Sequence, residues 1–334
     1  MSATSQRYFM QPLHIRTPLI ESVPLGASVD ATVWLKMESA QPTGSFKLRG
    51  VGRLCAQLAN QGARHLVSSS GGNAGLAVAF AGSKLGVRVT VFVPETTPDS
   101  MRDLIASYGA EVQVSGSVWD ETQRFAMERV ESTGASYVPP FDHPVLWDGH
   151  ASLVDEIKDA IPPPSAVVVA VGGGGLLSGV AEGLHRCGWA DVPIIAVETE
   201  GAASFHAALE AGEPVDIGTI HSVARSLGAR KVCRRAFDWS QRHAIIPIRI
   251  TDEEAVRACR RFLDDHRVLV EPACGAALAT LYENKLPLQG WLDSVLVVVC
   301  GGAGVSMQTL DGWDGGRQSK ARSGSTEQDS SASS

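Results

Sequence analysis

The stretch that decides the fold is Gln41-Pro42-Thr43-Gly44-Ser45-Phe46-Lys47-Leu48-Arg49-Gly50. Its single lysine lies between an aromatic residue and a leucine, just after a Pro/Gly turn and at the predicted start of a helix. A helix N-terminus and apolar neighbours both disfavour an ammonium group, whose ordinary pKa is about 10.4. Lys47 is therefore a candidate amine nucleophile, although a solvated lysine on the first turn of a surface helix would have a similar sequence.

Strands and helices alternate on both sides of this lysine. Residues 1–28 are expected to form an extended arm, and the Gly/Ser-rich residues 312–334 a disordered tail. The apolar spacing predicts strands at 31–37, 65–70, 87–94, 111–114, 136–138, 166–171, 194–198, 244–250 and 295–300. It predicts helices at 44–58, 76–85, 100–108, 120–131, 149–161, 176–187, 252–266 and 273–283, with helix and loop over 202–228. Such alternation is typical of parallel βαβ units, so the expected fold class is α/β.

Composition and charge favour a protein that acts on a small molecule. The 334 residues are 44% hydrophobic, which is enough for a large core. The formal net charge is −7 and the basic residues are scattered, so we expect no nucleic acid and no anionic membrane as partner. No apolar run approaches the roughly 20 residues that span a bilayer. The six cysteines form no CxxC pair and no secretion signal is visible, which predicts a cytoplasmic protein with free thiols.

Four consecutive glycines, Gly172 to Gly175, follow an apolar strand and precede a helix. Glycines leave the backbone amides accessible, and the positive helix end lies behind them, so this turn is a predicted phosphate cradle. The run lacks the lysine of a Walker A loop and does not fit GxGxxG, which makes a nucleotide the weaker interpretation. A merely flexible loop is the alternative.

Two further strand ends carry candidate binding groups. The turn Ser70-Gly71-Gly72-Asn73-Ala74 presents a hydroxyl and amides at a helix start, a combination that can bind a carboxylate. Ser70 could equally be a helix N-cap. Cys300 ends an apolar strand, and its position at the strand tip distinguishes it from the other five cysteines, which are interpreted as core residues.

The string Ser45-Phe46-Lys47-Leu48-Arg49-Gly50 resembles the pyridoxal-phosphate (PLP) attachment motif of the serine/threonine dehydratase group. These are tryptophan-synthase-β-like enzymes of fold type II. Segments 35–42, 138–142, 147–152, 196–199 and 269–276 also resemble the serine dehydratase branch, so the likeness spans about residues 13–310. It implies two open, twisted, mostly parallel α/β domains with the cofactor between them. Residues 1–40 and 144–311 would form the large PLP-binding domain, and residues 41–143 a small mobile substrate domain.

The resemblance also assigns roles to residues. Lys47 would hold PLP as a Schiff base and act in catalysis, and Cys300 would face the pyridine nitrogen. The remaining cofactor contacts would come from Phe46, Asn73, Gly172, Gly173, Gly174, Gly175 and Leu176. The substrate would contact Ser70, Gly71, Gly72, Asn73, Ala74 and Phe141. A possible potassium site would use Gly172, Glu198, Ala202, Leu227 and Ala229, all but Glu198 through backbone carbonyls. A homodimer is implied as well.

These features predict a PLP-dependent L-serine ammonia-lyase that forms pyruvate and ammonia, with L-threonine to 2-oxobutyrate as a second activity. Liver-type serine dehydratases have alanine at the position of Gly71, and we expect the missing methyl group to loosen the substrate's pose. Racemases of the family carry a serine there, so glycine argues against racemisation. The alternatives are a β-replacement enzyme of the cysteine synthase type, against which Ala74 counts, and a low-activity PLP-binding regulatory protein. A nucleotide-binding oxidoreductase is more distant.

Overall fold

The computed structural model describes residues 11–287 and 290–313. Its strands form two sheets. The six-stranded sheet has the order β1-β2-β10-β7-β8-β9, and all its neighbours are parallel except β1 and β2. These strands are β1 (Leu19–Glu21), β2 (Thr32–Lys36), β7 (Ala166–Ala170), β8 (Ile194–Thr199), β9 (Ile245–Ile250) and β10 (Ser294–Val298). The mixed α/β class predicted from the sequence is confirmed.

The four-stranded sheet is wholly parallel and has the order β5-β4-β3-β6. Its strands are β3 (His65–Ser68), β4 (Arg88–Val93), β5 (Glu111–Val114) and β6 (Ser136–Tyr137). All four come from one continuous part of the chain, between the segments that build the larger sheet. The division into a large and a small mobile domain is compatible with this layout and stays a prediction.

Helices connect the strands in both sheets. They are α1 (Val23–Val29), α2 (Lys47–Asn60), α3 (Asn73–Leu85), α4 (Asp99–Ser107), α5 (Trp119–Thr133), α6 (Pro144–Lys158), α7 (Gly175–Arg186), α8 (Ser204–Ala211), α9 (Arg234–Ser240), α10 (Asp252–His266) and α11 (Pro272–Tyr282). Residues 307–313 are also helical. None of the helices in the described part of the chain is long and apolar enough to cross a membrane.

Most helix and strand predictions are confirmed to within a few residues. Strand β7 is buried along its whole length, as expected for a parallel strand covered by helices on both faces. Helix α10 begins at Asp252 because Thr251 and Glu254 form a reciprocal capping box. Helix α6 begins at Pro144, earlier than predicted, because proline suits the first helical turn and the His143 ring accepts a hydrogen bond from the Val145 amide.

The extended arm predicted for residues 1–28 is confirmed only in part: residues 1–10 lie outside the described residues, β1 is extended, and residues 23–28 are helical instead. Helix α1 forms there because the Ser22 hydroxyl accepts a hydrogen bond from the Leu25 amide, while Asp30 ends the helix in the left-handed conformation with φ 52°. Helix α9 was not predicted at all. The predicted tail begins with helical residues 312 and 313, and its remainder, 314–334, lies outside the described residues.

The two sheets meet beside the start of α2. The Phe46 amide donates to the Cys300 carbonyl over 3.2 Å, and the Gly302 amide donates to the Gly44 carbonyl over 2.8 Å. Ser45 and Gly301 form an isolated antiparallel bridge. These bonds hold the segment before Lys47 against the carboxyl end of β10. The carboxyl ends of β3, β7 and β10 therefore lie near the same cleft, where α/β proteins usually bind ligands.

Candidate active site

A cavity of about 530 Å³ lies between the two sheets. Its size is within the usual range for small-molecule sites. The predicted residues that line it are Phe46, Lys47, Ser70, Gly71, Gly72, Asn73, Ala74, Phe141, Gly172, Gly173, Gly174, Gly175, Leu176, Leu227, Ala229 and Cys300. Glu198 and Ala202 do not line it. The structure thus brings the predicted attachment, phosphate and substrate residues to one place.

Lys47 is the first residue of α2, and its Nζ donates a 2.6 Å hydrogen bond to the Pro140 carbonyl. Burial lowers the pKa of Lys47 to about 8, and the nearby Glu271 carboxylate limits the decrease. A lysine with this pKa has a sizeable neutral fraction near neutral pH, unlike one with an ordinary pKa. Lys47 therefore has the electrostatic setting of an amine nucleophile.

The four-glycine turn links β7 to α7. A Cβ at Gly173 would lie 2.4 Å from the Phe141 ring, and one at Gly174, where φ is +85°, would lie 2.5 Å from the Ala236 Cβ. Within the described residues, the Gly172, Gly173 and Gly174 amides donate to no other residue. The first amides of a helix also lack acceptors within the helix. The turn therefore has the shape and free donors that an anion cradle needs, and phosphate binding by it stays a prediction.

On the four-stranded side, Asn73 begins α3 and its side chain spans three segments. The amide nitrogen donates to Glu271 Oε1 over 2.9 Å and to Ser226 Oγ over 3.4 Å, and Oδ1 accepts from the Ala303 amide over 2.9 Å. Ser70 is not the helix N-cap; that position is Gly72, and the Ser70 hydroxyl instead accepts a 3.4 Å bond from the Gly72 amide. Asn73 is thus fixed by the six-stranded half of the molecule.

Glu271 is a site residue that the sequence analysis did not single out. It is 7% exposed and lines the cavity just before α11. Burial raises the pKa of Glu271 to about 7, and hydrogen bonds from Ser226, Asn73 and the Gly304 amide limit the increase. The available signal was a carboxylate placed between Val270 and Pro272, directly before an uninterrupted apolar helix. A carboxylate between apolar residues at the start of an apolar helix is expected to be buried. Buried ionisable groups with shifted pKa values cluster at functional sites.

Cys300 follows β10 and is 6% exposed at the cavity wall. A hydrogen bond with the Cys274 thiol and burial both raise the pKa of Cys300 well above its ordinary value. Cys300 therefore presents a neutral thiol to the cavity. All six cysteines are free, as the sequence predicted.

The missing methyl group at Gly71 does not leave an empty space. A Cβ at Gly71 would lie 2.3 Å from Thr97 Oγ1 and 2.9 Å from Thr97 Cγ2. Thr97 is 7% exposed and lines the same cavity. The Thr97 side chain already fills that volume, which counts against a looser substrate pose, and the effect of Gly71 on the pose stays a prediction.

The predicted cation residues are only partly assembled around the cavity. A Cβ at Gly172 would lie 2.9 Å from the Leu227 Cα, so those two segments touch. Glu198 is 1% exposed, and its two oxygens accept 2.8 Å hydrogen bonds from the Phe205 and His206 amides at the start of α8. Burial raises the pKa of Glu198 to about 7. The potassium site stays a prediction.

Comparison with known proteins agrees with this geometry. The family model described as pyridoxal-phosphate dependent enzyme matches residues 10–301. "Serine dehydratase-like" from Mus musculus is 49% identical over 316 residues, covering 92% of this chain and 96% of that protein. "L-serine dehydratase" from Dictyostelium discoideum is 43% identical over 319 residues, covering 90% and 91%.

A solved structure of similar sequence also has a similar fold. The fungal L-serine ammonia-lyase from Rhizomucor miehei superposes with a TM-score of 0.86 at 37% identity, covering 91% of this chain and 99% of that one. The family model covers far more than half of the sequence. The chain belongs to the pyridoxal-phosphate-dependent enzyme family.

Proposed function

We propose that this chain is an L-serine ammonia-lyase, which converts L-serine to pyruvate and ammonia, with L-threonine as a second substrate. The observation that carries the proposal is a single cavity holding the Lys47 amine, the glycine cradle and the Ser70–Ala74 turn. The relatives named as serine dehydratases, and the superposed fungal L-serine ammonia-lyase, support this reaction.

The residues present fit pyridoxal phosphate. The free amides of Gly172 to Gly174, with those at the start of α7, suit its phosphate, and the Lys47 amine suits its aldehyde. Asn73 would contact the ring oxygen, Phe46 the ring, and Cys300 the pyridine nitrogen. When bound, the cofactor supplies an electron sink for the charge that develops at the substrate α-carbon.

Lys47 has two tasks in this proposal. Lys47 would hold the cofactor, and its Nζ would serve as the base that takes the α-proton of the substrate. A pKa of about 8 suits a base that works near neutral pH. The neutral Cys300 thiol does not hold a proton on the pyridine nitrogen as a carboxylate would. A weaker electron sink favours loss of the β-hydroxyl over racemisation or transamination.

The Ser70–Ala74 turn orients the substrate. The Ser70 hydroxyl and the backbone amides from Gly71 to Ala74 would bind its carboxylate, with Asn73 beside them. The Phe141 ring, packed against Gly173, would bound the side-chain pocket. A carboxylate fixed in this way would bring the α-proton within reach of Lys47, which is the positioning that elimination requires.

Three finer assignments belong to the same proposal. Potassium would bind near Gly172, Glu198, Ala202, Leu227 and Ala229, and replacing potassium by sodium in the assay tests it. A homodimer rests on the family resemblance, and sedimentation tests it. A cytoplasmic location rests on cysteine usage. The β-replacement and regulatory alternatives are not favoured by the named relatives.

The experiment is the visible spectrum of the cofactor-loaded protein, followed by L-serine with a coupled pyruvate assay. We expect a band from lysine-bound cofactor and steady pyruvate release. Both should be lost in Lys47→Ala and retained in Lys84→Ala, a control at an exposed lysine. A band without pyruvate would contradict the reaction, and no band in the cofactor-supplemented protein would contradict the cofactor.

A further inference from the structure

A buried ionic cluster lies beside the first turn of the lysine helix α2. Arg49 and Lys36 are the two largest fully buried side chains of the described residues, with exposures of 0% and 1%. Arg49 Nε and Nη2 each donate to Glu38 over 2.7 Å. Its Nη1 and Nη2 donate to Glu156 over 2.7 and 2.9 Å, and Lys36 Nζ donates to Glu156 over 2.5 Å.

The Arg49 guanidinium is complete in hydrogen bonds, and the cluster is balanced in charge. Arg49 Nη1 also donates to Ser152 Oγ over 2.9 Å, so all five guanidinium N–H groups have acceptors. Two cations face two carboxylates. Burying such a set of charges gains little stability over an apolar core of the same volume. What a planar, bidentate guanidinium does provide is a fixed geometry between the segments that it joins.

The geometry that it fixes is the start of α2. Arg49 is two residues after Lys47, whereas Glu38 lies just after β2, and Glu156 on α6. Phe46, which precedes the helix, makes no side-chain capping bond. This turn is tied to the six-stranded half by the backbone bonds of Gly44 and Phe46 and by close packing of Gly50 against Gly149 on α6. The Arg49 side chain adds ionic hydrogen bonds that join the turn to Glu38 and Glu156.

The rest of α2 belongs to the other half of the molecule. Leu48, Val51 and Leu54 share a hydrophobic core with Leu66 and Val91 of the four-stranded sheet. The helix that carries the lysine thus shares a core with the four-stranded sheet, while its first turn also packs on α6 and is bound through Arg49 to Glu38. Any movement of the four-stranded half would displace Lys47 unless the first turn were held.

We propose that Arg49 is a positioning residue for Lys47: through Glu38 and Glu156 it fixes the first turn of α2 to the six-stranded half, so that the lysine amine keeps its place opposite the glycine cradle. This rests on the proposed role of Lys47 as the cofactor's attachment point. The segments that Arg49 joins, which are α2, α6 and the residues just after β2, all lie within the described residues.

The test compares Arg49→Lys with Arg53→Lys, which lies one turn further along the same helix. Arg53 pairs with Asp148, but it is 57% exposed, so it controls for losing an arginine from α2. In cofactor-free protein, the pH dependence of Lys47 acetylation is followed by peptide mass spectrometry, and the dissociation constant of pyridoxal phosphate by titration. In loaded protein, kcat and KM for L-serine are measured.

In Arg49→Lys we expect the midpoint of Lys47 acetylation to move upward, toward that of an ordinary lysine, because a loosened turn admits water. Cofactor binding should weaken about 10-fold and kcat fall about 10- to 100-fold, with KM changed by less than about 3-fold. Arg53→Lys should leave all four quantities unchanged. A role confined to stability would leave the acetylation midpoint and the kcat-to-KM split unchanged in folded protein.

Glu156→Gln covers the case in which Arg49→Lys does not fold. Glu156 is 14% exposed, so its amide variant leaves less buried charge unpaired, and the same shifts are expected in smaller measure. Folding is checked by circular dichroism for each variant. A folded variant of Arg49 or Glu156 with unchanged acetylation midpoint, cofactor affinity and kcat would overturn the proposal. If the wild type makes no pyruvate, the proposed reaction fails, while the acetylation and binding results still decide the role of Arg49.

Discussion

The two glycine-rich turns of the cavity look alike in sequence but are fixed in different ways. Each follows a parallel strand and begins a helix. The 172–175 turn is held by packing, since a Cβ at Gly173 would overlap the Phe141 ring. In the 70–74 turn a Cβ at Gly71 would overlap Thr97, but one at Gly72 would meet nothing within 4 Å, and the side-chain bonds of Asn73 hold the turn.

This difference suits two kinds of ligand. A rigid ring of backbone amides is appropriate for an anion that stays bound through many turnovers, such as a cofactor phosphate. The second turn is held instead by side-chain hydrogen bonds, among them the 2.9 Å bond from Asn73 to Glu271. The pKa of Glu271, raised to about 7 by burial, makes that second turn responsive to pH.

The largest effect should come from filling the packed turn. Gly173→Ala places a methyl group in the Phe141 ring, so we expect the affinity for pyridoxal phosphate to fall about 100-fold or more. Gly72→Ala in the 70–74 turn is the matched control, because its methyl group would meet nothing within 4 Å, and it should change that affinity by less than about 3-fold. Titration of cofactor-free protein measures both. Equal effects of the two variants would remove the distinction between the turns.

The next effect concerns the charge beside the second turn. Glu271 has a folded-state pKa of about 7 and an ordinary value of 4.5, so between these pH values the folded protein binds more protons than the unfolded chain. Glu271 therefore makes the free energy of unfolding fall as pH rises from about 4.5 to 7, by at most about 3 kcal/mol. In cofactor-free Glu271→Gln this decline should be smaller by that amount.

Urea unfolding at a series of pH values measures the decline. Glu210→Gln, at an exposed surface carboxylate, is the control and should keep the wild-type slope. Glu198 has the same raised pKa of about 7, so adding Glu198→Gln to Glu271→Gln should reduce the decline further. An unchanged slope in Glu271→Gln would show that Glu271 is not buried as a charge-sensitive group.

The smallest expected effect tests the contact between Thr97 and Gly71 in the 70–74 turn. Thr97→Ala empties the volume beside Gly71, so we expect KM for L-serine to rise about 3- to 10-fold with little change in kcat. Adding Gly71→Ala to this variant refills part of the volume and should lower KM again. Steady-state kinetics of the two single variants and the double variant measure the coupling. Additive effects would contradict the contact.

Local sequence was sufficient to predict that Lys47 begins a helix and that Gly172 to Gly175 link a strand to a helix. An apolar β-branched strand, a run of glycines and a following helical pattern lie within about 20 residues, so the phosphate turn needs no knowledge of tertiary structure. The roles of these residues came from a motif resemblance, and the comparisons agree with the family it implied.

Contacts between distant segments could not be predicted. Glu271 matters because it bonds Asn73, which is 198 residues away in sequence, and Thr97 because its loop folds against Gly71. Neither contact leaves a periodic pattern. Helices α1 and α9 were missed because seven residues give too few turns for an apolar period to stand out.

The central claim is that Lys47, opposite the cradle, is the cofactor's attachment point. The most direct measurement is reduction of the cofactor-loaded protein with borohydride, followed by proteolysis and mass spectrometry of the peptides. The account predicts the added cofactor mass on the peptide containing Lys47, and its loss from that peptide in Gly173→Ala at limiting cofactor. A stable cofactor adduct on a different lysine, with Lys47 unmodified, would contradict it.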